Sequence, residues 1–598
     1  MSEAGGTPGG MTKATRRLVR VRIWLADHLR FNELQATLLW AAIIGFLGAW
    51  SSTLFKEATE WLHHLFTGFH EGEEIAGYVA SFQKMDWWRR IAVPTVGGLL
   101  AGLTLVFGSR FKAKQNSTDY MEAVVVGDGN ISTRVSLVKS ISAWFSSASG
   151  ASIGREGPLV QLSSLVASLV GRWFKFPLAR KRQLVACGAA AGIASAYNAP
   201  IAGAFFVAEI VLGSVAMEAF GPLVISSVIA TLTTRAHFGA EALYSAQVFN
   251  MHGNRELLLF LVLGISCGLG TPLFLQLMKG GEKVFSFLKL PVWGRLALGG
   301  LIVGLITVWR PEVAGNGRRL VYDVLHDHYS HAWVLLAIVV TFKLIATAAT
   351  FGSGAVGGVF TPTLSAGAAF GYLFGMGASH LLPGWGLEPG AFGLIGMGAF
   401  LAAATGAPVM AIIMIFELTL NYQILMPVML ASVVSYYICR SLYPHSLYGE
   451  ALKRKGAAAV AQHLATLKVG DLMTPDTGTL SPNATFGEVA RAFLQSRHEF
   501  LHIVHDQRFL GVVSLHDIKP YLDQPELESL LIARDVMRDD FTRLQPDQTM
   551  NEALELFGQA EAERLPVTAI TGELLGAVAK TDVLLFLAGK PKRNTVAA

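Results

Sequence analysis

The segment Gly154-Arg155-Glu156-Gly157-Pro158 stands between two apolar stretches, and a second glycine-rich block, Gly357-Gly358-Val359-Phe360-Thr361-Pro362, follows later in the chain. A charged carboxylate inside a membrane costs roughly 2.5 to 3.5 kcal/mol on insertion scales, so it is kept mainly where an ion pathway or a proton relay needs it. Glycines on both sides of Glu156 let the backbone approach a ligand closely. The two blocks together predict an ion pathway.

The composition predicts a polytopic membrane protein. Of the 598 residues, 52% are hydrophobic, only 15% are charged and 62 are glycine, which is too apolar for a soluble enzyme of this length. Apolar runs long enough to cross a bilayer, roughly 17 to 25 residues, recur from about Leu34 to Tyr443. The net charge of +5 comes with basic residues at segment ends, which matches the positive-inside pattern and predicts no nucleic-acid partner.

A sequence repeat divides the membrane region into two halves. The stretch Ser195-Ala196-Tyr197-Asn198-Ala199-Pro200-Ile201-Ala202-Gly203 leads on to Glu209, and Ala404-Thr405-Gly406-Ala407-Pro408-Val409-Met410-Ala411 leads on to Glu417. Glycine- and proline-interrupted segments at matching positions of two halves are typical of transporters that bind their substrate between broken helices. We therefore predict an all-α polytopic membrane domain of two inverted repeats with broken helices, about 35–240 and 250–450.

Helix starts of this kind favour an anion as the transported species. The first amide hydrogens of a helix lack carbonyl partners and the helix dipole places partial positive charge there, so a broken helix that starts inside the membrane attracts an anion. An ionised Glu156 is itself an anion that can occupy such a position, whereas protonation removes the charge and lets the side chain withdraw. Glu156 is therefore predicted to be both gate and proton carrier. The alternative is that it only pairs with Arg155 and stabilises a loop.

The composition changes after Tyr448. A polar linker covers residues 451–465, and residues 466–525 and 526–598 form two similar units, each with a helical pattern between paired short strands. This doubled arrangement resembles a tandem pair of CBS domains. It predicts a cytoplasmic α/β domain after a membrane domain at 35–450.

The resemblance to CBS domains implies a candidate site for an adenine nucleotide. In such pairs a serine or threonine and the aspartate three residues later contact the ribose. Ser514 and Asp517 fit this pattern, and the second unit offers Thr581 and Asp582 but has Ala579 at the hydroxyl position. The alternative is that these aspartates only cap helices.

Residues 35–450 resemble the CLC family of chloride channels and chloride/proton antiporters. The resemblance rests on the block at 154–158 and on four further motifs, Asn198–Gly203, Gly358–Pro362, Glu417–Gln423 and Ser446–Tyr448. It implies a homodimer in a lipid bilayer with one pathway per subunit, and transport of chloride and protons. It also implies that the protein is not an enzyme and that it requires neither a cofactor nor a metal.

The same resemblance assigns roles to single residues. Glu156 becomes the gating and proton-carrying glutamate, the amides of Val359 and Phe360 line the central chloride site, and Tyr448 offers its hydroxyl to the same ion. For Tyr448 the alternative is an aromatic anchor at the membrane interface. The implied anion-binding residues are Asn116, Ser117, Gly154, Arg155, Gly157, Gly358, Val359, Phe360, Thr361 and Tyr448.

Two departures from the family pattern leave the ion and the coupling open. Where the family has a serine block at the central anion, this chain has Asn116 and Ser117, so a preference for another anion such as nitrate is an alternative to chloride. Typical antiporters have two successive glutamates where this chain has Glu209 and Ile210. Either the protein is a channel, or protons enter from the inner side by way of water or Glu209. Glu209 as a mere helix-end residue is the alternative.

The basic segment 1–34 lacks the short apolar core and cleavage site of a signal peptide. We therefore expect the N-terminus and the CBS pair to be cytoplasmic, in a bacterial inner membrane. The three cysteines Cys187, Cys267 and Cys439 have neither disulfide nor metal-ligand spacing.

A CBS-bearing divalent-cation transporter is the rival from a different functional class. Such a protein needs clustered carboxylates as oxygen ligands inside the membrane. This chain instead offers one conspicuous glutamate, Glu156, among helix starts.

Overall fold

The chain forms two compact units, Met1–Lys453 and Arg454–Ala598. The computed structural model describes residues 33–69, 77–109, 119–125, 127–213, 217–240, 243–244, 253, 255–448, 467–475, 478–495, 500–521, 530–560 and 563–587.

The described part of the first unit is built from helices. The first half contains α1 Glu33–Thr67, α2 Gly77–Lys84, α3 Trp87–Ser109, α4 Tyr120–Val125, α5 Thr133–Ala148, α6 Glu156–Trp173, α7 Leu178–Tyr197, α8 Pro200–Phe206 and α9 Met217–Phe238. The second half contains α10 Glu256–Phe287, α11 Val292–Trp309, α12 Arg318–Leu325, α13 Trp333–Gly352, α14 Phe360–Leu381, α15 Pro389–Thr405, α16 Pro408–Thr419 and α17 Leu425–Leu442. Among the described residues, seven of these helices are long and apolar enough to cross a membrane.

The sequence repeat has a matching local structure in each half. Helix α7 ends at Asn198, whose φ of 58° is left-handed, and α8 starts two residues later with Pro200 as its first residue. Helix α15 ends at Gly406, with φ of 76°, and α16 starts with Pro408. A left-handed residue ends a helix and proline is favoured at the first position of the next one. Both helix breaks therefore follow directly from the two repeated motifs.

Glycines allow the helix that carries Thr361 to pack closely on its neighbour. A Cβ atom at Gly371 in α14 would lie 2.1 Å from the carbonyl oxygen of Phe392 in α15, and one at Gly367 would lie 2.6 Å from that of Gly396. Small residues at such crossings let helix backbones approach inside a membrane. This contact positions α14, and with it the start of the helix at Phe360.

The second unit is an α/β fold of two related parts. Its elements are α18 Val469–Leu472, β1 Thr479–Leu480, α19 Phe486–Gln495, β2 Phe500–His505, β3 Arg508–Ser514, α20 Leu515–Ile518, α21 Ala533–Val536, α22 Met550–Gln559, β4 Arg564–Thr568, β5 Leu574–Ala579 and α23 Lys580–Leu587. In one sheet β1 is parallel to β2 and β2 is antiparallel to β3, and in the other β4 is antiparallel to β5.

The two parts of this unit exchange backbone hydrogen bonds in a symmetric way. Thr474, just after α18, pairs with Ala577 on β5, and Arg538, just after α21, pairs with Val512 on β3. Each part thus contributes one residue to the edge of the other part's sheet. The pairing explains why the two similar sequences form one compact body.

Candidate functional site

The starts of α6 and α14 are held together by two backbone hydrogen bonds. The amide of Gly154 donates to the carbonyl of Gly358 at 2.7 Å, and the amide of Gly358 donates to the carbonyl of Gly154 at 2.9 Å. A Cβ atom on Gly357 would lie 2.8 Å from the Gly154 carbonyl oxygen, so the loops come this close because glycine occupies the position. The two glycine-rich blocks of the sequence therefore meet at one place.

The carboxylate of Glu156 lies on the N-terminus of α14. Glu156 is the first residue of α6 and only 5% exposed. Its Oε1 accepts hydrogen bonds from the Thr361 amide at 2.7 Å, from the Thr361 hydroxyl at 2.5 Å and from the Tyr197 hydroxyl at 2.5 Å. Its Oε2 has no hydrogen-bond partner within the described part of the chain. Three donors that converge on one oxygen, at a helix N-terminus, form a position that suits an anion.

Glycine is needed around this carboxylate as well as between the loops. A Cβ atom at Gly154 would stand 1.8 Å from Oε2 of Glu156, and one at Gly358 would stand 3.0 Å from the same atom. A side chain at position 154 would therefore displace the carboxylate from α14. The glycines of both blocks thus leave the space that the Glu156 side chain fills.

Four aromatic rings pack beside Glu156 in the interior. The Tyr197 ring centre lies 5.0 Å from that of Phe360, and the Phe206 ring lies 6.5 Å from Phe360 and 5.7 Å from Tyr448. Tyr197, Phe206 and Phe360 are buried, and Tyr448 is half-buried. The structure therefore brings Tyr448 into the same cluster as Phe360.

Four more of the predicted anion-binding residues lie at the starts of α6 and α14. Arg155 is the N-cap of α6 and lies over the ring of Tyr78 at 5.1 Å. Val359 is the N-cap of α14 and Phe360 its first residue, so both carry amides from the unpaired start of the helix. A Cβ atom at Gly157 would lie 3.3 Å from the Gly357 backbone.

Asn116 and Ser117 lie outside the described residues, so the residue that replaces the family's serine has no structural description here.

A small cavity of about 20 Å³ adjoins Glu156 and is positively charged. Its lining includes Lys56, Arg155 and Arg318 beside the single carboxylate. The Lys56 ammonium donates to the carbonyl of Ser195, in the last turn of α7, at 3.0 Å. Converging cations raise the local concentration of anions. The sequence analysis missed Lys56 and Arg318, because a basic residue near an apolar run also fits the positive-inside pattern.

Tyr197 is the other functional residue that the sequence analysis missed. It lies in the repeated stretch Ser195–Gly203, but it was assigned no role. The available signal was a tyrosine at the end of α7, whose preceding residues are mostly small. A buried tyrosine hydroxyl needs a hydrogen-bond partner, and here the partner is Glu156.

Glu209 and Glu417 cap each other's helices. Glu417, at the end of α16, accepts hydrogen bonds from the amides of Ile201 and Ala202 at 2.9 and 2.8 Å. Glu209, in the π-helical turn Val207–Val211 that continues α8, accepts from the amides of Val409 and Met410 at 3.3 and 2.8 Å. Each carboxylate thus satisfies orphan amides of the other half.

In the second unit Ser514 and Asp517 form a capping box at the start of α20. The Asp517 amide donates to the Ser514 hydroxyl oxygen at 3.2 Å, and the Ser514 amide donates to the Asp517 carboxylate at 3.0 Å. Arg538 adds hydrogen bonds from Nε and Nη2, at 2.9 and 2.5 Å, to the other carboxylate oxygen. The helix-capping role that was the alternative reading of Asp517 is therefore present, with an arginine as an additional partner.

These contacts determine how Asp517 titrates. Burial raises the pKa of its carboxyl, but the hydrogen bonds from Ser514 and the charge of Arg538 outweigh burial and bring the pKa below the ordinary value. A folded-state pKa below that of the unfolded chain gives a stabilising contribution that is complete above about pH 4 and is lost as the pH falls further. Asp517 is therefore ionised at neutral pH.

In the second part of this unit the predicted residues Thr581 and Asp582 lie in the first turn of α23. Thr581 is exposed and Asp582 is half-buried. Ala579, the last residue of β5, occupies the place that Ser514 has at the end of β3. The structure therefore places a hydroxyl at the end of the strand in the first CBS unit, whereas the second has a methyl group there.

No group of three or more histidine, cysteine, aspartate or glutamate side chains that could hold a metal ion occurs among the described residues.

Comparison with known proteins gives matches to both units. Residues 97–440 match the family model described as voltage gated chloride channel, and residues 469–523 and 533–589 match the CBS domain. A ClcB-like protein of Ralstonia nicotianae is 47% identical over 418 residues, which cover 69% of this chain and 96% of that protein. The voltage-gated ClC-type chloride channel ClcB of Escherichia coli is 40% identical over 417 residues, covering 69% and 97% of the two chains.

A solved structure has the same fold. It is that of a slow cyanobacterial Cl⁻/H⁺ antiporter, which superposes with a TM-score of 0.62 at 24% identity and covers 70% of this chain and 98% of its own. At this level of identity the likeness concerns the fold.

Proposed function

Because this chain belongs to the family of voltage gated chloride channels, we propose that Glu156 is the gate of its chloride pathway. The protein is a membrane protein that transports chloride, and its membrane region has the CLC fold followed by a CBS pair, so the resemblance and the fold class predicted from the sequence are confirmed. The position of the Glu156 carboxylate on the amide and hydroxyl of Thr361 is the observation that carries the proposal. There the glutamate occupies the place of an anion, and its protonation and withdrawal free that place for chloride.

The remaining site residues support this proposal in two ways. The glycines Gly154, Gly157 and Gly358 leave room because they have no side chain. Val359 and Phe360 supply backbone amides at the start of α14. The Tyr448 ring packs on Phe206 in the same cluster as Phe360. Lys56, Arg155 and Arg318 attract anions to the adjoining cavity.

We propose further that the protein is a channel rather than an antiporter. The inner proton relay of an antiporter needs a titratable side chain, and Ile210 has none. The neighbouring Glu209 is engaged by two amides of α16, which suits a structural carboxylate better than one that exchanges protons.

We also propose that the protein is a homodimer with one pathway in each subunit, in a bacterial inner membrane, with its N-terminus and CBS pair on the cytoplasmic side. Membership of the family supports the dimer, and the basic residues of segment 1–34 support the orientation. Members of the family are channels and transporters, so an enzymatic activity is not part of the proposal. The rival divalent-cation transporter is set aside because the family of this chain moves chloride.

The test is simultaneous measurement of chloride and proton flux from the purified protein in liposomes, with an imposed chloride gradient and a potential-setting ionophore. We expect chloride flux without proton movement. Uphill proton movement driven by chloride would make the protein an antiporter. Nitrate flux without chloride flux would make nitrate the transported anion, with Asn116 and Ser117 as the first residues to exchange.

For the CBS pair we propose an adenine nucleotide as regulatory ligand at Ser514 and Asp517. Asp517 is ionised at neutral pH and can accept hydrogen bonds from ribose hydroxyls. We expect Asp517→Asn to weaken binding of AMP to the full-length protein by about tenfold or more, because a hydrogen bond to a charged group is lost. Calorimetric titration with AMP and ATP measures this effect.

Asp547→Asn is the matched control, since Asp547 is an exposed carboxylate of the same unit that pairs with Lys468. The control should bind AMP as the unmodified chain does. Two results would contradict the nucleotide proposal: an Asp517 variant that binds AMP as tightly as the unmodified chain, or an unmodified chain that binds neither nucleotide at millimolar concentration. Either result would leave Asp517 with its capping role alone.

A further inference from the structure

Tyr197 is placed to act on the gate, although it lies outside every motif that carries the family resemblance. It is the last residue of α7 and 2% exposed, and its ring packs on Phe360. Its hydroxyl contacts Oε1 of Glu156 at 2.5 Å and the hydroxyl of Thr361 at 3.0 Å. Two side-chain hydroxyls, one from each half of the repeat, therefore meet at the gate oxygen.

We propose that the Tyr197 and Thr361 hydroxyls form a paired donor site, which binds the gate carboxylate when the pathway is closed and the transported halide or similar monovalent anion when it is open. The proposal rests on the proposed gating role of Glu156. It adds two side-chain ligands to the backbone amides that a helix start supplies.

Hydrogen-bond chemistry explains why the pair can serve both states. A hydroxyl carries one proton and two acceptor lone pairs, and the 2.5 Å distances match charge-assisted O–H···O⁻ bonds. When the carboxylate leaves, the two hydroxyls are already 3.0 Å apart, so one can donate to the other and each keeps one hydrogen-bond partner. When an anion arrives, both protons can turn to it. Each hydroxyl therefore has at least one hydrogen-bond partner in the closed and in the open state.

The charged groups around Glu156 do not supply the same function. Arg155 at the N-cap of its own helix, Lys56 on α1 and Arg318 on α12 line the cavity beside it. Among the hydrogen bonds of the described residues, the side-chain donors to the carboxylate are Tyr197 and Thr361. Removal of one hydroxyl therefore leaves the cations in place and changes only its contacts with the carboxylate and with the other hydroxyl.

The first experiment is the dependence of chloride flux on external pH for Tyr197→Phe in liposomes. The phenylalanine keeps the ring on Phe360 and removes the donor that favours the ionised carboxylate in the closed position. We expect the pH of half-maximal flux to move upward by about one unit, the scale of one charge-assisted hydrogen bond. Tyr372→Phe is the control, because it removes a buried hydroxyl further along α14 and should keep the unmodified profile.

Thr361 tests the other half of the pair. Thr361→Ser keeps the hydroxyl and should retain the unmodified pH profile, whereas Thr361→Val keeps the shape and the amide but should move the profile in the same direction as Tyr197→Phe. Suppose that Glu156→Gln removes the pH dependence of flux but that neither Tyr197→Phe nor Thr361→Val changes the pH profile. This result would overturn the paired donor site, while the gate proposal would stand.

Anion binding gives a readout that does not depend on gating. In the Glu156→Gln background, calorimetric titration with chloride should show about tenfold weaker binding when Tyr197→Phe is added. The same affinity with and without the Tyr197 hydroxyl would overturn its role as an anion ligand. This measurement decides the inference even if the flux of the unmodified protein turns out to be independent of pH, which would be a failure of the gate proposal.

Discussion

We expect Glu156→Gln to make chloride flux through the reconstituted protein independent of external pH. The unmodified protein should lose flux about tenfold per pH unit on the alkaline side, as expected for a single titrating gate. The glutamine cannot ionise, so it does not compete as an anion for the amide and hydroxyl of Thr361, from which the carboxylate now accepts two hydrogen bonds. Flux of the variant should equal or exceed the acidic maximum of the unmodified protein at every pH.

The measurement is chloride efflux from liposomes between about pH 3 and 8, a range that extends to both sides of the ordinary glutamate pKa of about 4.3. Glu388→Gln is the matched control, since Glu388 is an exposed carboxylate that precedes α15 in the same unit. The control should keep the pH dependence of the unmodified chain. A Glu156→Gln protein that still closes at alkaline pH would show that another group is the gate, and Glu156 would then be a loop residue, as the alternative reading held.

The sequence predicted that the two glycine-rich blocks form one site around Glu156, the proposed gate, because two separate patterns coincide there. A glutamate flanked by glycines inside an apolar region has few structural explanations, and the matching block at 357–362 identified the helix start that faces it. The structure places both blocks in mutual backbone contact through Gly154 and Gly358. The two loops occupy matching positions in the two halves of the repeat, and this repeat can be recognised in the sequence.

The ligands of the carboxylate were less predictable. The amides of Val359 and Phe360 were predicted at the central chloride site and Thr361 was predicted only as one of several anion-binding residues, whereas the amide that reaches Glu156 is that of Thr361. Which amide of a helix start points at a ligand depends on the rotation of the helix. That rotation is set by packing such as the Gly371 contact with Phe392, which no local pattern in the sequence encodes.

Tyr197 and the two capping glutamates show a second limit. A tyrosine at a helix end and a glutamate near a helix end each have ordinary explanations, and their partners lie far away in sequence. The repeat did indicate that Glu209 and Glu417 occupy equivalent positions. It did not indicate that each contacts the other's helix, because that contact depends on how the halves are oriented relative to each other.

Glu417→Gln should destabilise the membrane unit by about 1 to 3 kcal/mol, the scale of a buried charge-assisted interaction. Glu417 is 9% exposed and both its oxygens accept hydrogen bonds, from the amides of Ile201 and Ala202. A glutamine keeps one acceptor and points an NH₂ group at the other amide, so one donor is left facing another donor in a buried position. Glu209→Gln should cost less, because Glu209 is half-buried.

Thermal unfolding of the full-length protein in detergent, followed by tryptophan fluorescence, measures the effect. All 12 tryptophans precede residue 454, so the signal reports on the membrane unit, and a fall of a few degrees in the midpoint is expected. Glu388→Gln again serves as control and should unfold like the unmodified chain. An unchanged midpoint for Glu417→Gln would mean that water replaces the cap at no cost and that the contact does not join the two halves.

The double variant Glu209→Gln/Glu417→Gln tests whether the two carboxylates form one shared clamp, in which each holds the other's helix, or two independent caps. Glu209 is carried by the π-helical continuation of α8, and Glu417 caps the start of that same helix, so loss of either contact loosens the element that presents the other. The combined destabilisation should therefore be smaller than the sum of the single effects, as for residues in one network. The start of α8 directly follows Tyr197 and Asn198, so a loosened cap should also weaken the hold of Tyr197 on the gate. Glu417→Gln is accordingly expected to move the pH profile of chloride flux upward, in the direction of Tyr197→Phe, whereas a lowered midpoint with an unmoved profile would separate the clamp from the gate.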